Sequence, residues 1–160
     1  MTSNPSLAYK YRETAVKTAN PLQLVVILYD GAIQALQEAR EYIRRKDIGN
    51  RTRCLNRSVA FISELQASLN FNSSGTIADS LNRLYDFMKQ GIFKAGLEQR
   101  VEPLDQVIGL LENLRSAWGE LASQSQSAAS SNESSTATAA VMMRSIPNAG
   151  AERSSLNISG

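Results

Sequence analysis

The sequence predicts an all-α protein: an antiparallel up-and-down four-helix bundle with an N-terminal arm and a flexible, serine-rich C-terminal tail. Two observations carry this. Four stretches place apolar residues at alternating spacings of three and four, the repeat that makes a stripe along one helix face. Short connections rich in Asn, Gly, Ser and Pro join them, and helices of about 20 to 27 residues so joined pack antiparallel, with no strand needed. The 160 residues and 42% apolar content suit one domain with its own core.

The first helix starts at Asn20 and Pro21, where Asn caps free N–H groups, Pro fits the first turn and Gln23 completes a capping box. Its stripe is Leu22, Val25, Tyr29, Ala32, Leu36, Ala39 and Ile43, and Asp47, Gly49 and Asn50 stop it near Lys46. Leu55, Val59, Ile62, Leu65 and Leu69 mark the second helix, which ends at "NFNSSG", residues 70–75. Thr76 caps the third, whose Ile77, Leu81, Leu84, Met88, Ile92 and Ala95 run as far as Gly96. Pro103 opens the fourth, with Leu104, Val107, Leu111, Leu114, Trp118 and Leu121 as its stripe. Tyr29 and Trp118, at stripe positions, read as core aromatics.

Residues 123–135 contain seven serines and nothing larger than Gln or Glu, too little to offset ordering entropy by burial. Beyond them one apolar island, Val141, Met142, Met143 and Ile146, is a candidate docking turn. The chain therefore divides into an arm (1–19), a bundle (20–122) and a disordered or partly helical tail (123–160).

Composition excludes several chemistries. There is no histidine, and Cys54 is the only cysteine, which removes intrachain disulfides, imidazole or paired-thiolate metal sites and His-based triads. No cofactor or metal is expected. Asp30, Asp86 and Glu64 are the carboxylates to nominate for acid–base work, but without a nucleophile motif or phosphate loop the chain does not read as an enzyme. The net charge of +2 is uneven, with Arg40, Arg44, Arg45, Lys46, Arg51, Arg53 and Arg57 against Glu41 and Asp47. This reads as a solvated helix end and loop with cations near a helix C-terminus, rather than as a nucleic-acid surface. The start "MTSNPSLAYKYRET" lacks the basic and apolar regions of a secretory signal, and with a lone thiol it points to the cytoplasm. "NPLQLVVILYDGAIQAL" is interrupted by Gln23, Asp30 and Gln34, whereas a membrane span needs roughly 20 apolar residues, so it is a core helix and not a membrane insertion.

That helix carries more apolar residues than one stripe uses. At about 100° per residue the stripe centres near Val25 and Ile43, with Ile27 almost opposite and Val26 a right angle away. Asp30 shares the outer side with Ile27, and Gly31 lies off the stripe, where another backbone can come close. On the third helix Phe93 and Leu97 point away from Leu84 and Met88. Val26, Ile27, Asp30, Gly31, Phe93 and Leu97 are therefore the candidate partner-binding residues. Leu7, Tyr9, Tyr11 and Val16 make the arm apolar enough to cap this surface until a partner takes it over. A disordered client folding as amphipathic helices would bury on the order of 1,000 to 3,000 Å² there. The competing readings are a nucleic-acid binder through residues 40–57, a non-catalytic helical adaptor for another client, and a bundle that self-associates through Ile27 or Phe93.

Three segments, "YKYRETAVKTANPLQLVVILYDGAIQAL" (9–36), "LYDFM" (84–88) and "PLDQVIGLLENLRSAW" (103–118), resemble the FliS family in order and spacing over roughly residues 8–122. The resemblance implies a cytoplasmic export chaperone of the bacterial flagellum. Such a chaperone binds the C-terminal segment of flagellin, prevents premature polymerisation and presents its client to the flagellar type III export apparatus. It also implies that residues 7–17, anchored by Tyr9 and Tyr11, fold over part of the binding surface when no client is present. Tyr29, Asp30 and Gly31 belong to the family signature. A homodimer through the unoccupied groove is compatible with this reading. Gly91 in "KQGIF" and the length of the serine-rich tail depart from the family pattern.

Overall fold

The computed structural model describes residues 21–129, in which the apolar stripes fold as four helices: α1 Pro21–Arg44, α2 Ile48–Ala67, α3 Phe71–Glu98 and α4 Glu102–Ala129. Asn20, the arm residues Leu7, Tyr9, Tyr11 and Val16, and the island Val141–Ile146 lie outside the described residues. Among the described residues no helix is long and apolar enough to cross a membrane.

The connections are short for identifiable reasons. Lys46 takes a left-handed conformation, φ 57°, which turns the chain out of α1. Asp47 then caps α2 by accepting from the Asn50 backbone N–H at 3.1 Å, and the Asn50 hydrogen bonds hold its carboxyl below the usual carboxylate range. Gly49 and Asn50, expected in a loop, therefore lie in the first turn of α2, and that helix starts well before Leu55. At the next corner Asn70 caps α3 through the Asn72 N–H. One turn of helix follows and then bends sharply at Gly75 (φ 48°, ψ −120°), a conformation glycine adopts freely. The expected break at 70–75 is thus a kink rather than a loop. Gln99, again left-handed, ends α3, and Glu102 and Asp105 occupy the first turn of α4, where negative charge favours the helix dipole.

The tail boundary expected after residue 122 falls inside α4, which continues to Ala129. The helix accommodates these serines with their hydroxyls bonded to its own carbonyls. Ser123 and Ser127 donate to the carbonyls of Gly119 and Ser123, four residues back, and Ser125 is buried.

Each helix packs against two neighbours, α1 and α3 both against α2 and α4, so α1 and α3 sit on a diagonal. Directions follow from matched contacts. Moving from Asp30 to Arg40 along α1 retreats from Arg115 to Asp105 along α4, the partners at the two ends both being 2.8 Å away. Gly31 faces Phe61, and Glu38 pairs with Arg57 at 2.6 Å, which sets α1 against α2 in the same antiparallel sense. The structure is the up-and-down bundle the spacing predicts.

The α1 stripe is buried throughout, from Leu22 to Ile43. On α3 the buried line is Ala78, Tyr85, Met88, Ile92 and Ala95, not one through Ile77, Leu81 and Leu84: Ile77 is 47% exposed and the two leucines are half-buried. Tyr85 tolerates full burial because its hydroxyl meets that of Tyr29 at 2.5 Å, and Trp118 also hydrogen-bonds Tyr29. On α4, Leu114 is half-buried and Leu121 exposed, while Ile108 and Ala122 turn inward.

Two outcomes test this core. Leu111 is fully buried, so Leu111→Ala should lower stability by about 2 to 5 kcal/mol, read from the urea midpoint; an unmoved midpoint would place Leu111 outside the core. Burial pushes the Tyr29 phenol up to about 12 and Tyr85 further. The folded state thus holds these protons after the unfolded chain, with ordinary phenols near pH 10, has released them. These two phenols should leave stability unchanged across the neutral range to about pH 10 and lower it as pH rises from 10 to 12, ionising only as the chain unfolds; phenolate absorbance against circular dichroism reads both.

Candidate functional site

The first apolar concavity follows from where α1 meets small residues on α4. Ser116, Gly119 and Ser123 recur at three and four along α4 and face Val26 and Ile27 of α1. The low wall they make leaves a groove of about 780 Å³. By the antiparallel register, Gln23 and Gln124 stand at one end and Arg115 at the other. There Asp30 receives two hydrogen bonds from the Arg115 guanidinium, at 2.8 and 3.3 Å, and holds Arg115 more firmly in its charged form. Glu120 is the one carboxylate on the lining.

A second apolar surface lies on the outer side of α3. Phe93 and Leu97 are each 68% exposed, and five of the seven large exposed apolar residues among those described belong to this helix, including Ile77 and Phe87. α3 is diagonal to α1, so this surface is not continuous with the groove. Beside Phe93, the Gln66 amide bridges from α2 to Asn82 and Asp86 at 2.7 and 2.9 Å, and Lys89 donates to its oxygen. The Gln66 hydrogen bond keeps the Asp86 carboxyl below the usual carboxylate range.

The six residues nominated from sequence therefore separate. Val26 and Ile27 line the groove, and both are half-buried, so Ile27 flanks α4 rather than standing opposite the stripe. Asp30 closes the groove as one half of an exposed ion pair. Gly31 is a correction: it is buried, and a Cβ there would sit 2.6 Å from the Phe61 ring, so its missing side chain admits an internal neighbour, not a partner. Phe93 and Leu97 are on the far side. The sequence reading missed Ile77 and Phe87. Placing Tyr85 inward instead of Leu84 would have turned Phe87 outward, whereas Ile77, in line with buried Ala95, is exposed beside the kink at Gly75. It also missed the Ser116, Gly119, Ser123 line, legible as small residues at helical spacing. Gly91, the departure from the family pattern, has a local reason, since a Cβ there would come 3.0 Å from Val107 on α4.

The basic stretch is not a bare cationic face: Arg40 pairs with Asp105, Arg44 with Glu41 and Arg57 with Glu38. Asp30 and Asp86 lie on different helices, each with its own hydrogen-bonding partners. Among the described residues no group of three or more Cys, Asp or Glu side chains is placed to hold a metal ion.

A family model described as "Flagellar protein FliS" matches residues 3–125. The chain is 34% identical to the flagellar secretion chaperone FliS of Salmonella typhimurium over 110 residues, 68% of this chain and 82% of that protein. It is 30% identical to the protein of the same name from Campylobacter jejuni over 117 residues, 72% and 91% of the two chains, and 29% identical to that of Bacillus subtilis over 115 residues, 72% and 84%.

The Asp30–Arg115 pair, with both side chains nearly half exposed, should close the groove without stabilising the fold much. A double-mutant cycle with Asp30→Ala and Arg115→Ala should give a coupling below about 1 kcal/mol that shrinks with salt. A coupling of several kcal/mol would show that the pair holds α1 to α4.

Proposed function

The chain belongs to the FliS family of flagellar secretion chaperones, and from that membership we propose that it is a non-catalytic export chaperone for the C-terminal segment of flagellin. In this reading it acts in the cytoplasm, keeps that segment from polymerising and hands it to the flagellar type III export apparatus. The client is disordered when free and folds as amphipathic helices against the bundle.

The observation that carries the reading is the exposed apolar surface of α3, with Phe93 and Leu97 each 68% exposed on a bundle whose own core is already closed. Each such side chain left in water forgoes about 1.5 to 3 kcal/mol that contact with a partner recovers. The α1/α4 groove, with Val26 and Ile27 on its lining, gives a second apolar contact on another side. A folded partner with one flat interface does not reach both; an extended segment wrapping the bundle does. Ordering such a client costs several kcal/mol, which is offset by wide apolar contact rather than by one deep pocket.

The residues assigned to the client are Val26, Ile27, Phe93 and Leu97, with Asp30 at the edge of the groove. Without client, the arm residues Leu7, Tyr9, Tyr11 and Val16 cover part of this surface, and a homodimer is another way to cover it. Nucleic acid is disfavoured because three arginines of the basic stretch are already in ion pairs.

Calorimetric titration of the full chain with the C-terminal segment of its flagellin tests the reading. Binding should show a negative heat-capacity change and little dependence on salt; a steep salt dependence would favour a polyanion instead. Ile27→Asp, and separately Phe93→Asp with Leu97→Asp, should each weaken binding about tenfold or more, about 1.4 kcal/mol or more, with far-UV helicity and melting nearly unchanged. Undiminished affinity in both variants would sink the assignment, and a collapse in melting for Ile27→Asp would make that residue core.

A further inference from the structure

Both ends of the described chain emerge at the α1/α4 groove. Pro21 begins the helix that carries Val26 and Ile27, and Ala129 ends the helix that carries Ser116, Gly119 and Ser123. Past Ala129 come eleven residues, 130–140 ("SSNESSTATAA"), with a single charged side chain, Glu133. They lead directly to the densest apolar run after Leu121, Val141, Met142, Met143 and Ile146, with Arg144 inside it. We propose that this run docks into the α1/α4 groove of its own chain, its apolar side chains against Val26 and Ile27 and Arg144 beside Glu120.

Reach permits it. At about 1.5 Å per residue, Arg115, the lining residue farthest back along α4, lies about 21 Å from Ala129. Residues 130–140 span at most about 36 to 40 Å when extended, so the run returns to the groove with chain to spare. Shape agrees, because the small side chains on α4 leave an irregular apolar channel, and methionine, unbranched and polarizable, suits such a space. Charge selects the orientation. Arg115 is already held by Asp30, whereas Glu120 on the same lining makes no ion pair among the described residues. Arg144 is the only cation between Arg115 and Arg153, and it lies inside the apolar run.

Tethering supplies the remaining requirement. A contact too weak to hold two separate molecules is populated when a short linker keeps the partners at an effective concentration of about millimolar. Any other occupant of the groove must then displace the tail. The docking is a property of the client-free chain, so its test uses no client, and its failure would leave the proposed function standing.

A nitroxide on Ser145→Cys, in the full chain with Cys54→Ser, reads the docking by paramagnetic broadening. Val26 and Ile27 methyl signals and the Gly119 amide should lose at least half their intensity. Met142→Asp with Met143→Asp should restore them. Glu120→Arg should weaken the effect and Arg144→Glu added to it should bring it back. Three results would overturn the proposal: intensities unchanged, broadening that appears equally when the nitroxide is on a separate, unlabelled-isotope copy, or broadening of the groove only from a label on the arm at Thr14→Cys. If Cys54→Ser fails to fold, a photo-crosslinking benzoylphenylalanine at Met143 in the otherwise native chain gives the same answer. Crosslinks to groove residues of α1 or α4 within one chain support the docking, and crosslinks only elsewhere exclude it.

Discussion

The rotation of α3 about its own axis decides what this bundle shows to solvent, and one buried contact fixes that rotation. Tyr85 and Tyr29 meet hydroxyl to hydroxyl at 2.5 Å inside the core, across the diagonal between α3 and α1. The Trp118 hydrogen bond to Tyr29 brings α4 into the same network. A buried hydroxyl without a partner costs about 1 to 3 kcal/mol, so turning α3 by one position would strand the Tyr85 hydroxyl. With Tyr85 held inward, Met88 and Ile92 follow it into the core, and Phe87, Phe93 and Leu97 have only the outside left to them. The apolar outer face of α3 is thus a consequence of a polar contact in the interior.

Close approach of helices at glycine is the second constraint. At Gly31 the Phe61 ring occupies the space a Cβ would need, and at Gly91 Val107 nearly does. Glycine costs about 1 kcal/mol relative to alanine within a helix, so two such positions are tolerated only where packing returns more. The two contacts draw α1 onto α2 and α3 onto α4. Between α1 and α4 the small residues are instead Ser116, Gly119 and Ser123, and no large side chain from α1 fills the space they leave. Small residues therefore have opposite effects in this bundle. Where a ring inserts they seal an interface, and where none does they leave a groove.

The fold was legible because helical periodicity and corner chemistry are local. The α1 stripe, the turn at Lys46 and the entry of α4 at Pro103 all follow from residues within a few positions of one another. The first half of the α3 stripe was not legible, although Met88, Ile92 and Ala95 in its second half were. Leu81 and Leu84 are as apolar as the residues beside them, and only the distant hydroxyl of Tyr29 makes Tyr85 the better inward choice. The last two turns of α4 are not legible in composition: serine richness argues for a tail, whereas the helix runs on to Ala129 with the Ser123 and Ser127 hydroxyls bonded to carbonyls one turn back. At the site, periodicity marked Ile27, Phe93 and Leu97 as surplus to the core. It could not show that Gly31 faces inward to an aromatic ring, since that depends on which residue α2 places opposite.

Asp30 and Gly31 interrupt the most apolar stretch of the chain, and the structure separates their roles by face. Asp30 turns outward to Arg115 and borders the groove, and Gly31 turns inward and admits Phe61. Adjacent residues on one helix thus serve the surface and the core independently. The same division runs through the molecule: Tyr29, Tyr85 and Leu111 are sealed inside, whereas Phe93 and Leu97 contribute little to holding the helices together. Stability and surface chemistry are then separable, so the apolar exterior can be reshaped for a partner without loosening the bundle. The proposed function requires that property, because the ordering energy of a complex with a disordered client must come from contacts the free bundle does not need for its own folding.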